Sequence, residues 1–407
     1  MNVRSSARIR AVVLIVVAAL TGACGSSLSG APKAGEIDIR QLNIGSYSVE
    51  PVTLPSPSQE WGRYREADRM ADAVATVIDV DPTLEFQEAG VVDDPESAAN
   101  VLSFIPGVPV IKPVLEKYGM IIGFYANGLN QEFVRGMNLD GAQFLMIMVN
   151  RFPSEDAARQ AAVEIDATDF NVSKDNVAVP IGKHPDAKAH WRPGNASIAA
   201  TLARRQFVVS LQAVYPTPNL DALAKQVSDA LDAEVPLIDA FAPTPTDKIA
   251  TLPLDPDHLV VRALNISSDH AMKPGDVQQF GPRGALHFTW NGHYKDRLLQ
   301  QYGVDRLVLG TASSIYRVRD DRAATEIFPT WIKAFADSNK AEEIEAKTGV
   351  PNARCFERKD AAVAEVPQLR FTCFFTYRDF VARVFSGDKG DAQERAAAQY
   401  ALLANTN

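Results

Sequence analysis

The chain has 407 residues, 46% of them hydrophobic and 8% aromatic, and its 41 Lys and Arg stand against 50 Asp and Glu for a net charge of −9. That composition supports sizeable cores, and the length makes two domains the natural expectation. An acidic surface repels phosphate backbones, which argues against nucleic acid as a partner.

The chain opens on an address. Arg4, Arg8 and Arg10 precede ten apolar residues, 11–20, and then Thr21-Gly22-Ala23-Cys24. A membrane-spanning helix needs about 20 apolar residues, so this run is too short. A basic start, a short apolar stretch and small residues at a cleavage point are instead the parts of a secretory signal peptide, residues 1–23. Its removal takes away three arginines and no acids, leaving 38 basic against 50 acidic side chains, a net charge of −12. Small residues before a cysteine resemble the bacterial lipobox, although Thr21 stands where the usual lipobox has Leu. The resemblance implies that Cys24 carries a thioether-linked diacylglycerol and becomes the first mature residue. Residues 24–40 are rich in Gly, Ser and Pro and read as a flexible tether. Two or more acyl chains anchor stably where one does not. The expected partner is therefore the membrane, reached through a lipid anchor on its extracytoplasmic face.

Beyond the tether, residues 41–243 read as an N-terminal α+β domain, 244–258 as a Pro-rich linker and 259–407 as a C-terminal α+β domain. Residues 61–78 have Met70, Val74, Val77 and Ile78 at helical spacing, with "DVDPTL" at 79–84 as a breaker. The stretch 101–125 is apolar and carries three prolines, either an irregular core segment or the lining of a cleft. Residues 142–149 read as a buried strand, and Ser154 as the cap of a helix with Glu155 and Asp156 in its first turn. Strands at 197–202 and 207–215 follow, then a helix opened by Thr217-Pro218 with Leu220, Leu223, Val227 and Leu231 as its stripe. The second half repeats this scheme with a strand at 313–319, a helix at 322–336 interrupted by Pro329, a strand at 369–376 and a helix at 392–403.

At an offset of 166, Arg151 falls on Arg317, Pro185 on Pro351 and Lys188 on Arg354; after a slip to 164, Phe207, Val209 and Leu211 fall on Phe371, Cys373 and Phe375. The expected architecture is thus α+β, two related domains arising by internal duplication, each an antiparallel sheet with helices packed on one face.

Tyr47 and Pro51, "GRYREADRMADAV" at 62–74, "DVDPTL" at 79–84 and "YGVDRLVLGTASSIYRVRD" at 302–320 occur in that order behind the lipobox. This order resembles an actinobacterial family of secreted lipoproteins of unknown function with paired domains. The resemblance implies a cell-envelope setting and a two-domain chain, and it carries no catalytic residue over.

In an exported chain Cys355 and Cys373 are expected to form a disulfide, and on the repeat alignment they replace Ala189 and Val209. The pairs His184/His190 and His287/His293 lack further metal ligands at recognised spacing, so no metal site is expected. No nucleophile elbow, zinc-helix, phosphate-loop or dinucleotide motif occurs, so no catalytic residue and no cofactor is assigned. Three function classes fit. One is a non-enzymatic lipoprotein that contacts an envelope protein or the wall, another a carrier or sensor of an apolar or lipid ligand, and a third a hydrolase with an unrecognised site.

Overall fold

Two seven-stranded antiparallel sheets carry the fold. The structure is a computed structural model that describes residues 37–102, 108–131, 139, 141–266, 272–288, 300–359 and 366–405. Cys24, the signal segment and His293 lie outside the described residues, as do residues 25–36 of the tether and 103–107 of the 101–125 stretch.

The first sheet is built from β1 (Phe86–Val92), β2 (Ile122–Leu129), β3 (Phe144–Arg151), β4 (Val177–Ala178), β5 (Lys188–Trp191), β6 (Ser197–Arg204) and β7 (Phe207–Val214), in the order β1-β2-β3-β7-β6-β5-β4. The second contains β8 (Val277–Phe280), β9 (Arg306–Gly310), β10 (Ser313–Arg317), β11 (Glu342–Ile344), β12 (Arg354–Glu357), β13 (Phe371–Tyr377) and β14 (Phe380–Ser386), in the order β8-β9-β10-β14-β13-β12-β11. Adding seven to every strand number converts one sheet into the other. Five long helices accompany them: α1 (Gln59–Met70), α2 (Glu155–Phe170) after β3, α3 (Leu220–Ala240) after β7, α4 (Asp321–Ser338) after β10 and α5 (Lys389–Asn405) after β14.

The α+β class and the duplicated layout agree with the sequence; the placement of helices on one face does not. Every position of β3 and β7 is buried, which requires cover on both sides. Phe144, Met146, Met148 and Val208 pack with Ala158, Ala161 and Ile165 of α2. The alternate residues Leu145, Ile147, Val149, Val209 and Leu211 share a core with Leu223, Val227 and Leu231 of α3. In the second sheet, Phe335 of α4 meets Phe356 and Phe374, while Tyr400 of α5 meets Phe375 and Tyr377.

The slip in the repeat alignment is also corrected. Arg151 ends β3 and Arg317 ends β10, as the offset of 166 requires, but the hairpins correspond at an offset of 173. The loop Arg205-Gln206 joins β6 to β7, and Arg378-Asp379 joins β13 to β14. Arg205 and Arg378 are both left-handed, with φ of 52° and 48°. That conformation costs a non-glycine residue about 1 kcal/mol, yet both copies retain it. Phe152 N donates to Gln206 O at 2.8 Å and Val318 N to Asp379 O at 2.8 Å, the same bond in each copy. The counterpart of Cys373 is therefore Ala200, not Val209. Cys355 and Cys373 lie directly opposite on β12 and β13 and are disulfide-bonded, with Cα atoms 4.0 Å apart. Ala189 and Ala200 form the matching pair on β5 and β6.

Other expectations shift locally. The first helix stops at Met70 rather than running to Ile78, because Val74 is extended, with φ −102° and ψ 133°. Asn219, not Thr217, caps α3, accepting from Ala222 N at 3.1 Å. Helix α4 runs through Pro329, and Thr325, whose carbonyl loses its helical donor there, lines an open groove. The first stretch of the expected N-terminal domain lies along α5 instead. Tyr47 Oη donates to Asp391 at 2.5 Å, Asn43 Nδ2 to Glu394 at 3.1 Å, and Asn405 Nδ2 to Val49 O at 3.1 Å.

Residues 39–407 form one compact unit. Helix α1 joins the two sheets, packing against β1, β2, β8 and the segment Thr246–Thr251. Its charged residues Arg65, Glu66 and Asp68 are buried. Glu66 pairs with the fully buried Arg151 of β3 and accepts from Thr244 N at 2.9 Å and Thr244 Oγ1 at 2.7 Å. Asp68 accepts from Arg65 at 2.5 Å and from Gln279 N of β8 at 3.1 Å. Just beyond the helix, Asp72 accepts from Arg283 N and Gly284 N, both at 2.8 Å. The polar half of the "GRYREADRMADAV" motif thus forms the junction between the repeats.

Candidate functional site

Helix α2 begins at Ser154, whose Oγ accepts from Ala157 N at 3.1 Å, and crosses the face of the first sheet over β5 and β6. Its fit to the sheet is incomplete at both ends. Near its N-terminus an open groove of about 360 Å³ is lined by Glu155, Arg159, Val163, Lys188, Thr201 and Arg205. Near its C-terminus a smaller cavity of about 80 Å³ is lined by Asp169, His190, Arg192, Asn195, Ser197 and Gln212.

These two spaces make up the crevice under α2, its ends lined by separate residues; the repeats agree at the first end and differ at the second. A groove of about 450 Å³ lies beside α4, lined by Thr325, Pro329, Arg354 and Thr376, which correspond to Arg159, Val163, Lys188 and Ala203. The far end has no such agreement. Asp169, His190 and Gln212 of that end correspond to Phe335, Phe356 and Phe385, and Thr201 of the neighbouring groove corresponds to Phe374. Phe335, Phe356 and Phe374 stack edge to face, with centroids 5.0 to 6.2 Å apart. One copy fills the space with aromatic rings, whereas the other lines it with polar groups.

His190 is the centre of the polar end. It is 8% exposed, with Nδ1 3.6 Å from Asp166 Oδ1 and Nε2 3.4 Å from Asp169 Oδ2. Burial by itself lowers an imidazole pKa; here the two carboxylates outweigh it and lift His190 to about 9. His190 Nδ1, Arg192 Nε and Gln212 Oε1 are buried without a hydrogen-bond partner among the described residues. A buried polar atom left so costs about 1–3 kcal/mol, and native interiors rarely collect several without water or a ligand to satisfy them.

The other histidines are elsewhere. His184 lies in a turn with Nε2 2.9 Å from Asp232, and His287 is a core residue whose Nε2 is 3.0 Å from Ala71 O. Burial pushes the His287 pKa down to about 4. Among the described residues no group of three His, Cys, Asp or Glu side chains is arranged to hold a metal ion. The described part of the 101–125 stretch sends Ile111, Val114 and Leu115 into the core against the first sheet and leaves Val110, Pro113, Glu116 and Lys117 exposed. Sequence reading missed the site because His190 was paired with His184 by spacing along the chain. The signal was there in the correct repeat alignment, as columns holding Asp, His and Gln in one copy and Phe in the other.

No curated protein matches the chain. Among solved structures it is similar to the extracellular domain of PknH from Mycobacterium tuberculosis, at 13% identity and a TM-score of 0.27, over 46% of this chain and 99% of that one. Residues 54–254 match the N-terminal domain of unknown function DUF7373, and residues 257–406 match its C-terminal domain. Matched along most of its length in both parts, the chain belongs to the DUF7373 family.

Proposed function

We propose that this is a lipid-anchored protein of the extracytoplasmic membrane face that acts by binding, with the crevice under α2 as its recognition site. The observation that carries the binding reading is the polar, partnerless far end of that crevice, set against its aromatic-filled copy in the second repeat. The anchor rests on the lipobox-like run ending at Cys24. Catalysis by a hydrolase is supported less well: a general base must be unprotonated, and a histidine held at about 9 is a cation at neutral pH.

One experiment addresses both halves. A photo-crosslinking residue at Val163, 58% exposed at the crevice mouth, is expected to capture an envelope component in cells expressing the parent chain. The same probe at Val110, 40% exposed and outside the crevice, is expected not to. With Cys24→Ala added, the protein should leave the membrane fraction. Persistence of that variant in membranes after signal cleavage refutes the anchor, and equal capture at Val163 and Val110 refutes the crevice.

A further inference from the structure

Resting on that reading, the geometry points to a compact carboxamide, of the kind carried by an acetamido group, as the ligand group that enters the His190 end of the crevice. The space of about 80 Å³ is enough for two or three waters, at ~30 Å³ each in the liquid, or for one group of about four heavy atoms. Its lining offers donors and acceptors together. Arg192 Nε presents an N–H group and Gln212 Oε1 a lone pair, both buried and without partners, and His190, whose ring nitrogens face Asp166 and Asp169, walls the same space. Asp169 adds a carboxylate to the acceptor side.

The charges nearby sum to zero, His190 and Arg192 balancing Asp166 and Asp169. A carboxylate ligand would set a negative charge against Gln212 Oε1 and Asp169. An ammonium would meet Arg192 and leave its Nε unsatisfied. A carboxamide carries an acceptor and a donor on adjacent atoms with no net charge, so its carbonyl takes the Arg192 Nε donor while its N–H serves Gln212 Oε1. The slot between a helix and a sheet also suits a planar group.

Saturation-transfer NMR on the full chain in detergent tests this with N-acetylglucosamine and N-acetylglycinamide as probes, and glucose and acetate as controls. The acetyl methyl of at least one probe is expected to be saturated, with neither control responding, and the tighter probe identifies an amino sugar or a peptide as the source. Gln212→Leu should weaken that signal at least fivefold, and His190→Phe, which installs the residue of the second repeat, should abolish it. Should one variant fold poorly, the other decides. Equal signals from parent and folded variants overturn the proposal, as does silence of both probes, which leaves water as the occupant. If only glucose responds and Gln212→Leu abolishes that response, the carboxamide assignment fails while the binding reading survives. If no probe responds and Val163 captures nothing, both fail.

Discussion

His190 places the candidate site under a pH-dependent constraint that can be measured without knowing the ligand. Its folded pKa of about 9 lies above the ordinary imidazole value of 6.5, so the folded chain holds a proton that the unfolded chain releases near pH 6.5. The resulting stability is fully present below pH 6.5 and is lost as pH rises towards 9. Glu234 acts in the same sense. Buried beside Ala75 N, which donates to it at 2.7 Å, its carboxyl is pushed up to about 8 from 4.5 by burial, so its contribution also falls with rising pH. His287, held down at about 4, works the other way and costs stability as pH falls from 6.5 towards 4. Urea unfolding is therefore expected to show stability declining between pH 6.5 and 9, with a shallower decline in His190→Phe. A parent profile that is flat over that range, or a slope unchanged by His190→Phe, would show that Asp166 and Asp169 do not hold the imidazole protonated.

Helix α1 is the element on which the junction depends, and Gly62 marks its tightest contact. A Cβ at Gly62 would collide with the carbonyl oxygen of Ile249, a backbone atom that cannot rotate aside. Gly62→Ala should therefore displace either α1 or the segment Thr246–Thr251 and destabilise the chain by about 1–3 kcal/mol, the usual cost of overpacking, read as a lower urea midpoint. An unchanged midpoint would mean that this segment is loosely held. None of this was legible in the sequence. The motif around Gly62 reads as an amphipathic helix with a charged face, and charged faces normally meet water, whereas Glu66 and Asp68 here are buried against Arg151 and the start of the second repeat. What was legible was local: the cap at Ser154, the continuous apolar run of β3, and the shared arginines ending β3 and β10. The hairpin register is hidden because Phe207, Val209 and Leu211 and Phe371, Cys373 and Phe375 both put apolar side chains at every second position. Alternation fixes which face a residue takes, and it does not say which strand of a hairpin it belongs to. The sheet order, the left-handed Arg205 and Arg378 in two-residue loops, and the matching bonds to Gln206 O and Asp379 O resolve the pairing.

At the scale of the whole molecule, the duplication makes two folding units of the chain by descent, and the junction makes them one by energetics. A single apolar core runs through Leu84, Phe124 and Leu223 of the first repeat into Phe280, Leu307 and Phe335 of the second. Phe124 meets Phe280 at 6.1 Å and His287 at 5.1 Å between ring centroids. Cutting the chain between the repeats would expose those rings and remove contacts from the junction carboxylates: the buried Asp68 would lose Gln279 N, and the half-buried Asp72 and Asp79 would lose two backbone donors and Arg283 respectively. Hydrogen bonds to charged groups contribute about 1.5–3 kcal/mol each, so losing several of them, with the apolar contacts, removes a large part of the 5–15 kcal/mol that holds a typical domain. The N-terminal strap adds a second tie, since Tyr47 and Asn43 reach α5 in the other repeat. The full chain is therefore expected to unfold in one calorimetric transition, with van't Hoff and calorimetric enthalpies in agreement. Residues 54–254 expressed alone should be far less stable than the same residues within the chain, and residues 257–406, lacking α1 beneath β8, should not fold to a native state. Two resolved transitions, or an isolated 257–406 as stable as in the full chain, would show that α1 decorates two independent domains. A single transition would make the crevice under α2 sensitive to anything that loosens the second repeat, because the sheet that floors it, through Arg151 and Glu66, ends in the shared junction.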